Sequence, residues 1–379
     1  MRILFLCSSL EKEKDGIGDY TRRLAEAIQN RGNQILLLSF NDKYIKEEAN
    51  EEEVVSVIRI PQHFSWKQKK EKVTSIIHKF KPDWISIQFI SYGIQYRGIV
   101  FNAIPFFRNI TRGYKVQVML HELWIAEEKE ASLKDKLIGK IQKVAILGFI
   151  KKIRPLVINT SIPLYNLILK RNKVNASVLP LFSNIAVTSD SNLEWIWEAI
   201  NKKSGITINK THRAEFLIGG IFGSLYYSSW NLQSLMMQLQ KTQRKVIILS
   251  FGKLGTTEKY WEEIKSNYKS FSFLALGPLP EVKVSQCIQA IDFGIITTPV
   301  LIAGKSGSFM AMKEHGVISL GKKSDISFNF PLDLDNLVDT YLQQVGEEQL
   351  IFDSDLLKKK PSPQLKNTVS QFLNELKTH

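Results

Sequence analysis

Short apolar segments alternate with longer segments of helical periodicity along the whole chain, and this alternation constrains the fold more than any other feature. Residues 1–7 and 34–40 are continuous apolar runs of strand length, and residues 18–30 between them carry apolar side chains at helical spacing. Continuous apolar runs are typical of parallel strands that are buried on both faces. The order of strand, helix and strand therefore predicts a βαβ unit.

The same order continues to residue 179. Further strands are predicted at residues 54–60, 84–89, 115–120, 156–159 and 176–179, and helices at residues 67–80, 99–110, 133–153 and 162–170. After a linker at residues 180–185 the alternation starts again. Strands are predicted there at residues 215–222, 245–251, 271–276, 293–297 and 317–320, and helices at residues 191–201, 229–239, 283–291, 307–315 and 364–377.

A chain of 379 residues exceeds the size at which a single hydrophobic core keeps growing. Together with the two series of alternating elements, this length predicts the α/β class with two Rossmann-like domains that face a cleft. We expect an N-terminal domain at residues 1–183, a C-terminal domain at residues 184–360 and a closing helix at residues 361–379.

Composition excludes several classes of protein. The only two cysteines, Cys7 and Cys287, have apolar neighbours, so we expect buried thiols in a reducing compartment rather than a disulfide framework or a thiolate metal site. The apolar runs are too short for a secretory signal or a transmembrane helix. These observations predict a cytoplasmic protein.

The positive charge is concentrated in the first half of the chain. Residues 1–185 hold 30 Lys and Arg against 18 Asp and Glu, a net +12, whereas residues 186–379 hold 21 against 19, a net +2. This asymmetry predicts an anionic partner, such as an acidic polysaccharide, a phospholipid-linked molecule or an anionic membrane surface. No nucleic-acid-binding motif is found, so nucleic acid is not expected.

The basic stretch at residues 134–154 has the pattern of an amphipathic helix that lies on a membrane surface. The alternative is an ordinary packed helix with a solvated lysine face. The first interpretation places the protein at the inner face of the membrane.

Two candidate sites lie where predicted strands end in the first half. Gly16 and Gly18 follow the first strand and open a helix, which favours phosphate binding by backbone amides, although a tight turn that binds nothing is the alternative. The third glycine of a dinucleotide fingerprint is missing, so NAD is not expected. His121 and Glu122 end the strand at 115–120 and are candidates for a contact with a sugar hydroxyl, or else a hydrogen-bonded structural pair.

The third candidate lies between a strand and a helix of the second half. Small residues expose backbone amides there, Ser306 and Ser308 add hydroxyls, and Lys305 adds a positive charge. The segment is not a Walker loop, because Pro299 stands where that motif needs glycine. It predicts a diphosphate-binding site, with a capped surface helix as the alternative.

Six segments follow one another in an order that resembles a known family. They are GIGDYTRRLAEAIQNRGNQILLL, PDWISIQF and MLHELW in the first half and IILSFGKLG, FLALGPLPE and IAGKSGSFMAMKEHG in the second. In order and spacing they resemble the retaining glycosyltransferases of the family-four type, and they span nearly the whole chain. The resemblance implies a GT-B fold with the nucleotide-sugar donor held by the C-terminal half.

The resemblance also implies roles for individual residues. Gly16 and Gly18 would approach the donor diphosphate, His121 would contact the transferred sugar, and Lys253 would neutralise the diphosphate. Gly277 and Pro278 would frame the nucleobase. The phosphates would be held at a helix start by Gly304, Lys305, Ser306, Gly307 and Ser308.

One departure from the family concerns two glutamates eight positions apart, which are replaced here by Ala303 and Ala311. Glu314 lies nearly one helical turn after Ala311 and could take over the ribose contact. Lys305 could stabilise charge on the leaving diphosphate.

The function implied is sugar transfer from a nucleotide-diphosphate sugar to a polysaccharide, lipid-linked or small-molecule acceptor, with retention and without a cofactor. No metal is expected, because no DxD-like acidic pair ends a strand and two lysines are available. The alternatives are a degenerate GT-B protein that binds a nucleotide sugar without turnover, and a sugar-nucleotide epimerase or phosphorylase of the same fold.

Overall fold

The computed structural model describes residues 1–209, 211–223, 232–324, 326–328, 330–332, 335–346 and 358–379. The chain forms two units. Unit 1 comprises Met1–Leu181, Ile326–Leu332 and Leu365–His379, and unit 2 comprises Phe182–Asp325 and Asp333–Gln364. The first division follows Leu181, where the sequence predicts one after residue 183, and the C-terminal segment belongs to unit 1.

Unit 1 is built on an eight-stranded sheet in which parallel pairing predominates. In chain order its strands are β1 (Arg2–Cys7), β2 (Gln34–Asp42), β3 (Ala49–Glu52), β4 (Ser56–Pro61), β5 (Trp84–Phe89), β6 (Lys115–Leu120), β7 (Val157–Thr160) and β8 (Ser177–Val178). The spatial order is β3-β4-β2-β1-β5-β6-β7-β8, and only β3 runs antiparallel to its neighbour. All six residues of β5 are buried, because helices cover both faces of a parallel sheet.

Six helices lie between the strands of unit 1 in the described part of the chain. They are α1 (Gly16–Gln29), α2 (Trp66–Phe80), the short α3 (Ser91–Ile94), α4 (Ile104–Thr111), α5 (Leu133–Ile153) and α6 (Pro163–Arg171). Helix α4 starts later than predicted because a 3-10 turn at Phe101–Ala103 precedes it and Pro105 occupies its first turn, where proline is favoured.

Unit 2 has a six-stranded parallel sheet in the order β11-β10-β9-β12-β13-β14. Its strands are β9 (Phe216–Phe222), β10 (Lys245–Phe251), β11 (Ser272–Gly277), β12 (Phe293–Ile295), β13 (Ser319–Lys322) and β14 (Leu342–Val345). Its helices include α7 (Glu194–Ser204), α8 (Gln233–Leu239), α9 (Glu258–Asn267), α10 (Glu281–Ala290) and α11 (Gly307–Glu314). The predicted start of α8 at residues 229–231 lies outside the described residues, and α9 and β14 were not predicted.

Two adjacent glycines explain how the central strand of unit 2 packs. A Cβ atom on Gly219 would lie 2.6 Å from the Phe293 ring, and one on Gly220 would lie 2.5 Å from the Ile291 side chain. Glycine at both positions of β9 therefore lets these large side chains lie directly against the strand.

The last helix, α12 (Leu365–Lys377), packs on unit 1. Phe372 stacks on Phe5 of β1 with ring centroids 5.7 Å apart, and the Thr368 hydroxyl donates to the carbonyl of Pro180. The closing helix is therefore part of the core of the N-terminal unit.

Candidate functional site

Three glycines line the carboxyl edge of the unit 2 sheet. Gly223 follows β9, Gly252 follows β10 and Gly277 ends β11, with φ angles of +80°, +90° and +74°. The Gly223 amide donates to the Phe251 carbonyl at 2.8 Å, and the Gly252 amide donates to the Gly277 carbonyl at 2.9 Å. At these three positions no side chain projects from the backbone, at the end of a parallel sheet where ligands commonly bind.

Gly223 was not singled out in the sequence. The signal that could have found it is the repeated Phe-Gly pair that closes β9 and β10, at Gly223 and Gly252. A Cβ atom on Gly252 would lie 3.2 Å from the Gly223 nitrogen, so the two loops approach each other through their backbones.

The predicted diphosphate-binding segment forms the start of α11. Ser306 is the N-cap residue, and its hydroxyl accepts from the Phe309 amide at 3.4 Å. The amides of Gly307 and Ser308, in the first turn, have no acceptor within the helix itself. A Cβ atom on exposed Gly307 would meet no described residue within 4 Å, so the described part of the chain leaves this turn open to an approaching group.

The structure brings the start of α11 to the glycine-lined edge. A Cβ atom on Gly223 would lie 3.4 Å from the Ser308 hydroxyl oxygen. The reason is topological, because β12 pairs with β9 and its chain continues into the segment that precedes α11. A helix N-terminus with aligned amides beside an open edge is suited to bind an anion.

Two lysines flank this edge in different surroundings. Lys305 is half-buried and ends the 3-10 helix Val300–Lys305, in which Gly304 also lies. Lys253 is exposed and follows Gly252 directly. Pro278 follows β11 in the connection to α10, next to Gly277. Among the unit 2 residues predicted to hold the donor, Lys253, Gly277 and Pro278 therefore lie at strand ends, and residues 304–308 lie at or just before the start of α11.

Ala303 and Ala311, which stand where the family carries glutamates, are both buried. Glu314 lies at the other end of α11, roughly 10 Å along the helix axis from its first residue. Its buried carboxylate accepts from the Ser183 amide at 2.7 Å, so it holds the entry of the chain into unit 2. If Glu314 contacts the ribose as predicted, that contact lies at the opposite end of α11 from the phosphate-binding turn.

His121 lies at the carboxyl end of β6 in unit 1 and is 2% exposed. Its Nε2 atom is 2.9 Å from the Gln88 side-chain oxygen, and the Tyr20 ring of α1 meets its ring edge-on with centroids 5.5 Å apart. His121 therefore lies at the predicted edge of the sheet, and a hydrogen bond to Gln88 fixes the orientation of its ring.

The predicted phosphate contact at the start of α1 has a different geometry from that at α11. The Asp15 carboxylate caps the helix and accepts from the Ile17 and Gly18 amides at 3.0 and 3.3 Å. A Cβ atom on Gly18 would lie 3.2 Å from the Leu10 backbone, whereas one on Gly16 would meet none of the described residues within 4 Å. Close packing against Leu10 therefore explains why position 18 is a glycine. The negative charge of the Asp15 carboxylate disfavours an anion at the Gly18 amide.

Three buried oxygen atoms that follow strands of the unit 1 sheet lack a hydrogen-bond partner among the described residues. They are Oγ of Ser91 after β5, Oε2 of Glu122 after β6 and Oγ of Ser161 after β7, and these three strands are neighbours in the sheet. Buried polar atoms normally have partners, and a hydroxyl-bearing ligand would supply them. Glu122 belongs to the predicted His-Glu pair, whereas Ser91 and Ser161 were missed.

The described residues hold no group of three or more His, Cys, Asp or Glu side chains arranged to bind a metal ion. Within the same part of the chain, no helix combines the length and the apolar character that crossing a bilayer requires.

Known proteins resemble this chain in structure. HepE from Anabaena, in complex with UDP and glucose, matches with a TM-score of 0.58 over 100% of both chains at 16% identity. The UDP-GlcNAc 2-epimerase from Methanocaldococcus jannaschii matches at 0.54 over 100% of both chains at 9% identity. The lipopolysaccharide outer core galactosyltransferase WaaB in its apo form matches at 0.53, over 100% of this chain and 99% of that one, at 11% identity.

A scan against protein-family models found no match, and a search of curated proteins found no relative. At the identities above, the structural likeness shows the fold. The expected class is confirmed: the chain has two parallel-sheet Rossmann-like domains, as in GT-B glycosyltransferases. The narrower resemblance to the retaining family-four type stays a prediction.

Proposed function

We propose that the protein is a glycosyltransferase that takes a nucleotide-diphosphate sugar as donor. The observation that carries the proposal is the approach of the α11 N-terminus, through Ser308, to the glycine-lined edge at Gly223. The fold is shared with HepE, whose structure contains UDP and glucose. Unit 2 would hold the donor and unit 1 the acceptor.

The chemistry required is modest and fits this site. The bond between the anomeric carbon and the diphosphate oxygen breaks, the acceptor oxygen bonds to the anomeric carbon, and the acceptor hydroxyl passes its proton to solvent water. Negative charge then grows on the leaving diphosphate. The Gly307 and Ser308 amides, with Lys305 and Lys253, would stabilise that charge without a metal, since fixed donors need no reorganisation during the reaction. By the family resemblance we propose retention at the anomeric carbon.

The first experiment is a screen of donors. A thermal-shift series with UDP-, GDP-, ADP- and TDP-sugars identifies the base, and release of nucleoside diphosphate with a panel of acceptors then measures turnover. Activity should persist in EDTA. Loss of activity in EDTA with rescue by Mg²⁺ or Mn²⁺ would point to a metal-dependent reaction instead.

A second candidate function is epimerisation of a nucleotide sugar. It is favoured by the structural match to an epimerase and by the alanines at positions 303 and 311 in place of glutamates. An epimerase would convert the donor into its epimer without any acceptor, and a protein that only binds would shift its melting temperature without forming product. Analysis of the donor after incubation separates the three cases.

The acceptor side is proposed to meet an anionic membrane surface through α5. Three apolar side chains on this helix are largely exposed, Leu133 at 87% and Leu137 and Val144 at 62% each. Their spacing places them on one face of the helix, and the lysines at 134 and 140 on the same stretch are also exposed. Such a face suits the boundary between headgroups and acyl chains.

A basic groove lies at the other end of α5. It has a volume of about 740 Å³, and no acidic residue occurs among its lining residues. Its five cationic side chains are Arg108, Arg112, Lys151, Lys152 and Arg154. Charge of one sign in a concave surface raises the local concentration of anions. A lipid-linked or polysaccharide acceptor at the cytoplasmic face of the membrane is the partner that we propose.

A further inference from the structure

Six polar side chains in unit 1 form one continuous chain of hydrogen bonds across neighbouring strands. The chain starts at His121 after β6 and ends at Glu375 on α12. Its links run from His121 Nε2 to Gln88 Oε1 at 2.9 Å, Gln88 Nε2 to Ser86 Oγ at 2.9 Å, Ser86 Oγ to Gln117 Oε1 at 2.6 Å, Gln117 Nε2 to Asn159 Oδ1 at 2.8 Å, and Asn159 Nδ2 to Glu375 Oε2 at 2.6 Å.

The inner members of this chain are buried in the sheet, where apolar residues are usual. Ser86, Gln117 and Asn159 have no exposed surface, and Gln88 is 3% exposed. A buried polar network is costly wherever one of its groups lacks a partner, yet these five links are all made. Apolar side chains at the same positions would fill the sheet without that risk, so stability alone does not explain the network.

The carboxylate of Glu375 sets the direction of every link. A carboxylate can only accept, so Asn159 must turn its amide nitrogen towards Glu375 and its oxygen towards Gln117. The same holds for each later link of the hydrogen-bond chain, because a side-chain amide whose nitrogen donates on one side accepts through its oxygen on the other. The other carboxylate oxygen accepts from Ser177 and Gln371, at 3.1 and 2.9 Å, which fixes Glu375 itself.

The direction has a consequence at the far end. Gln88 presents its oxygen to His121, so the histidine must carry its proton on Nε2, and in the neutral ring Nδ1 is the acceptor nitrogen. An isolated glutamine beside the ring could turn over and accept either tautomer. The distant carboxylate removes that freedom.

We propose that Glu375 is a positioning residue that holds His121 in the Nε2-protonated tautomer through this chain. The tautomer itself follows from the network alone. The role of this tautomer in catalysis rests on the proposed function, in which His121 contacts the transferred sugar. In the neutral ring Nδ1 can only accept a hydrogen bond, and a sugar hydroxyl would be its donor.

A reversal of charge at the end of the chain tests the proposal. In Glu375→Lys the ammonium can only donate, so every link should reverse and His121 should carry its proton on Nδ1. Adding Asn159→Asp to that variant places a carboxylate one link closer, which restores the original direction. Asn374→Lys is the matched control, because it adds the same charge on the exposed side of the same helix.

The measurement is NMR on the full chain with histidine labelled by ¹⁵N at Nε2 alone or at Nδ1 alone. A ring N–H signal appears only in the sample whose protonated nitrogen is labelled, and His121→Gln assigns it among the six histidines. We expect the signal in the Nε2 sample for wild type, the control and the double variant, and in the Nδ1 sample for Glu375→Lys. A wild-type signal at Nδ1, or a folded Glu375→Lys variant that keeps the Nε2 signal, would overturn the proposal.

Because the NMR experiment uses no substrate, its outcome is independent of the proposed function. Turnover adds a separate test. If the protein is a transferase, kcat should fall in Glu375→Lys and recover in the double variant. Absence of turnover in the wild type with the expected NMR pattern would reject the function and keep the positioning role.

Discussion

Replacement of Lys305 by alanine tests the proposed donor site most directly. Lys305 is half-buried beside the Ser306 cap, so its contact with a phosphate oxygen would be only partly screened by water. A hydrogen bond to a charged group contributes about 1.5–3 kcal/mol. Since about 1.4 kcal/mol corresponds to a tenfold change in affinity, Lys305→Ala should weaken donor binding by roughly 10- to 100-fold.

Two further lysines calibrate the size of this effect. Lys253 is exposed, and an exposed ion pair contributes about 0–1 kcal/mol, so Lys253→Ala should weaken donor binding by no more than about fivefold. Lys245 begins β10 at the amino end of the same sheet and is also exposed. Lys245→Ala removes the same charge away from the site and should leave donor affinity unchanged.

Isothermal calorimetry with the best donor, and kcat/KM from release of nucleoside diphosphate, measure the effect. If Lys305→Ala stays within twofold of wild type in both, Lys305 does not touch the diphosphate and the site assignment fails. Equal losses in Lys305→Ala and Lys245→Ala would mean that only long-range charge is being measured.

The remaining predictions concern stability and the acceptor side. Glu314→Ala leaves the buried Ser183 amide without its acceptor and should cost about 1–3 kcal/mol in denaturant unfolding, while unchanged donor affinity would argue against the ribose contact. Burial lowers the pKa of Lys69 to about 8, so from pH 8 to about 10.5 the unfolded chain binds more protons and the free energy of unfolding should rise with pH. Denaturant titrations across that range should show a smaller rise in Lys69→Met; an identical slope would contradict the assignment. Binding to anionic liposomes should weaken in high salt, as the Debye length falls from about 10 Å at 0.1 M to about 3 Å at 1 M, whereas equal binding to neutral vesicles would reject the membrane surface. Binding should also weaken, with unchanged donor affinity, on joint neutralisation of Lys140, Lys151 and Lys152.

Lys143 is left out of that neutralisation for a structural reason. The sequence assigns it to the same basic face, but its ammonium lies 3.5 Å from Glu127 and 5.2 Å from the centre of the Trp124 ring. The Lys143 ammonium therefore already interacts with Glu127 and Trp124. The spacing of lysines along a helix does not reveal such contacts.

The strands and helices that the sequence predicts most accurately are those with a sustained hydrophobic pattern. The strands at 84–89, 115–120 and 245–251 and the helix at 133–153 have the predicted bounds, because each is a sustained apolar or helical pattern. Strands β3 and β14 and helix α9 escaped prediction because they are short and rich in polar residues, so packing against neighbours decides them.

The sequence by itself determined the two α/β halves and the candidate phosphate-binding turn, because strand-length apolar runs and small residues at a helix start are local patterns. Only the tertiary structure decided which distant groups meet. It put α12 on the first unit, turned Glu314 towards Ser183, placed Gly223 against Ser308 and joined His121 to Glu375. Strand order and helix orientation fix these approaches, and hydrogen bonds between residues far apart in the chain have no signature in the spacing of either partner.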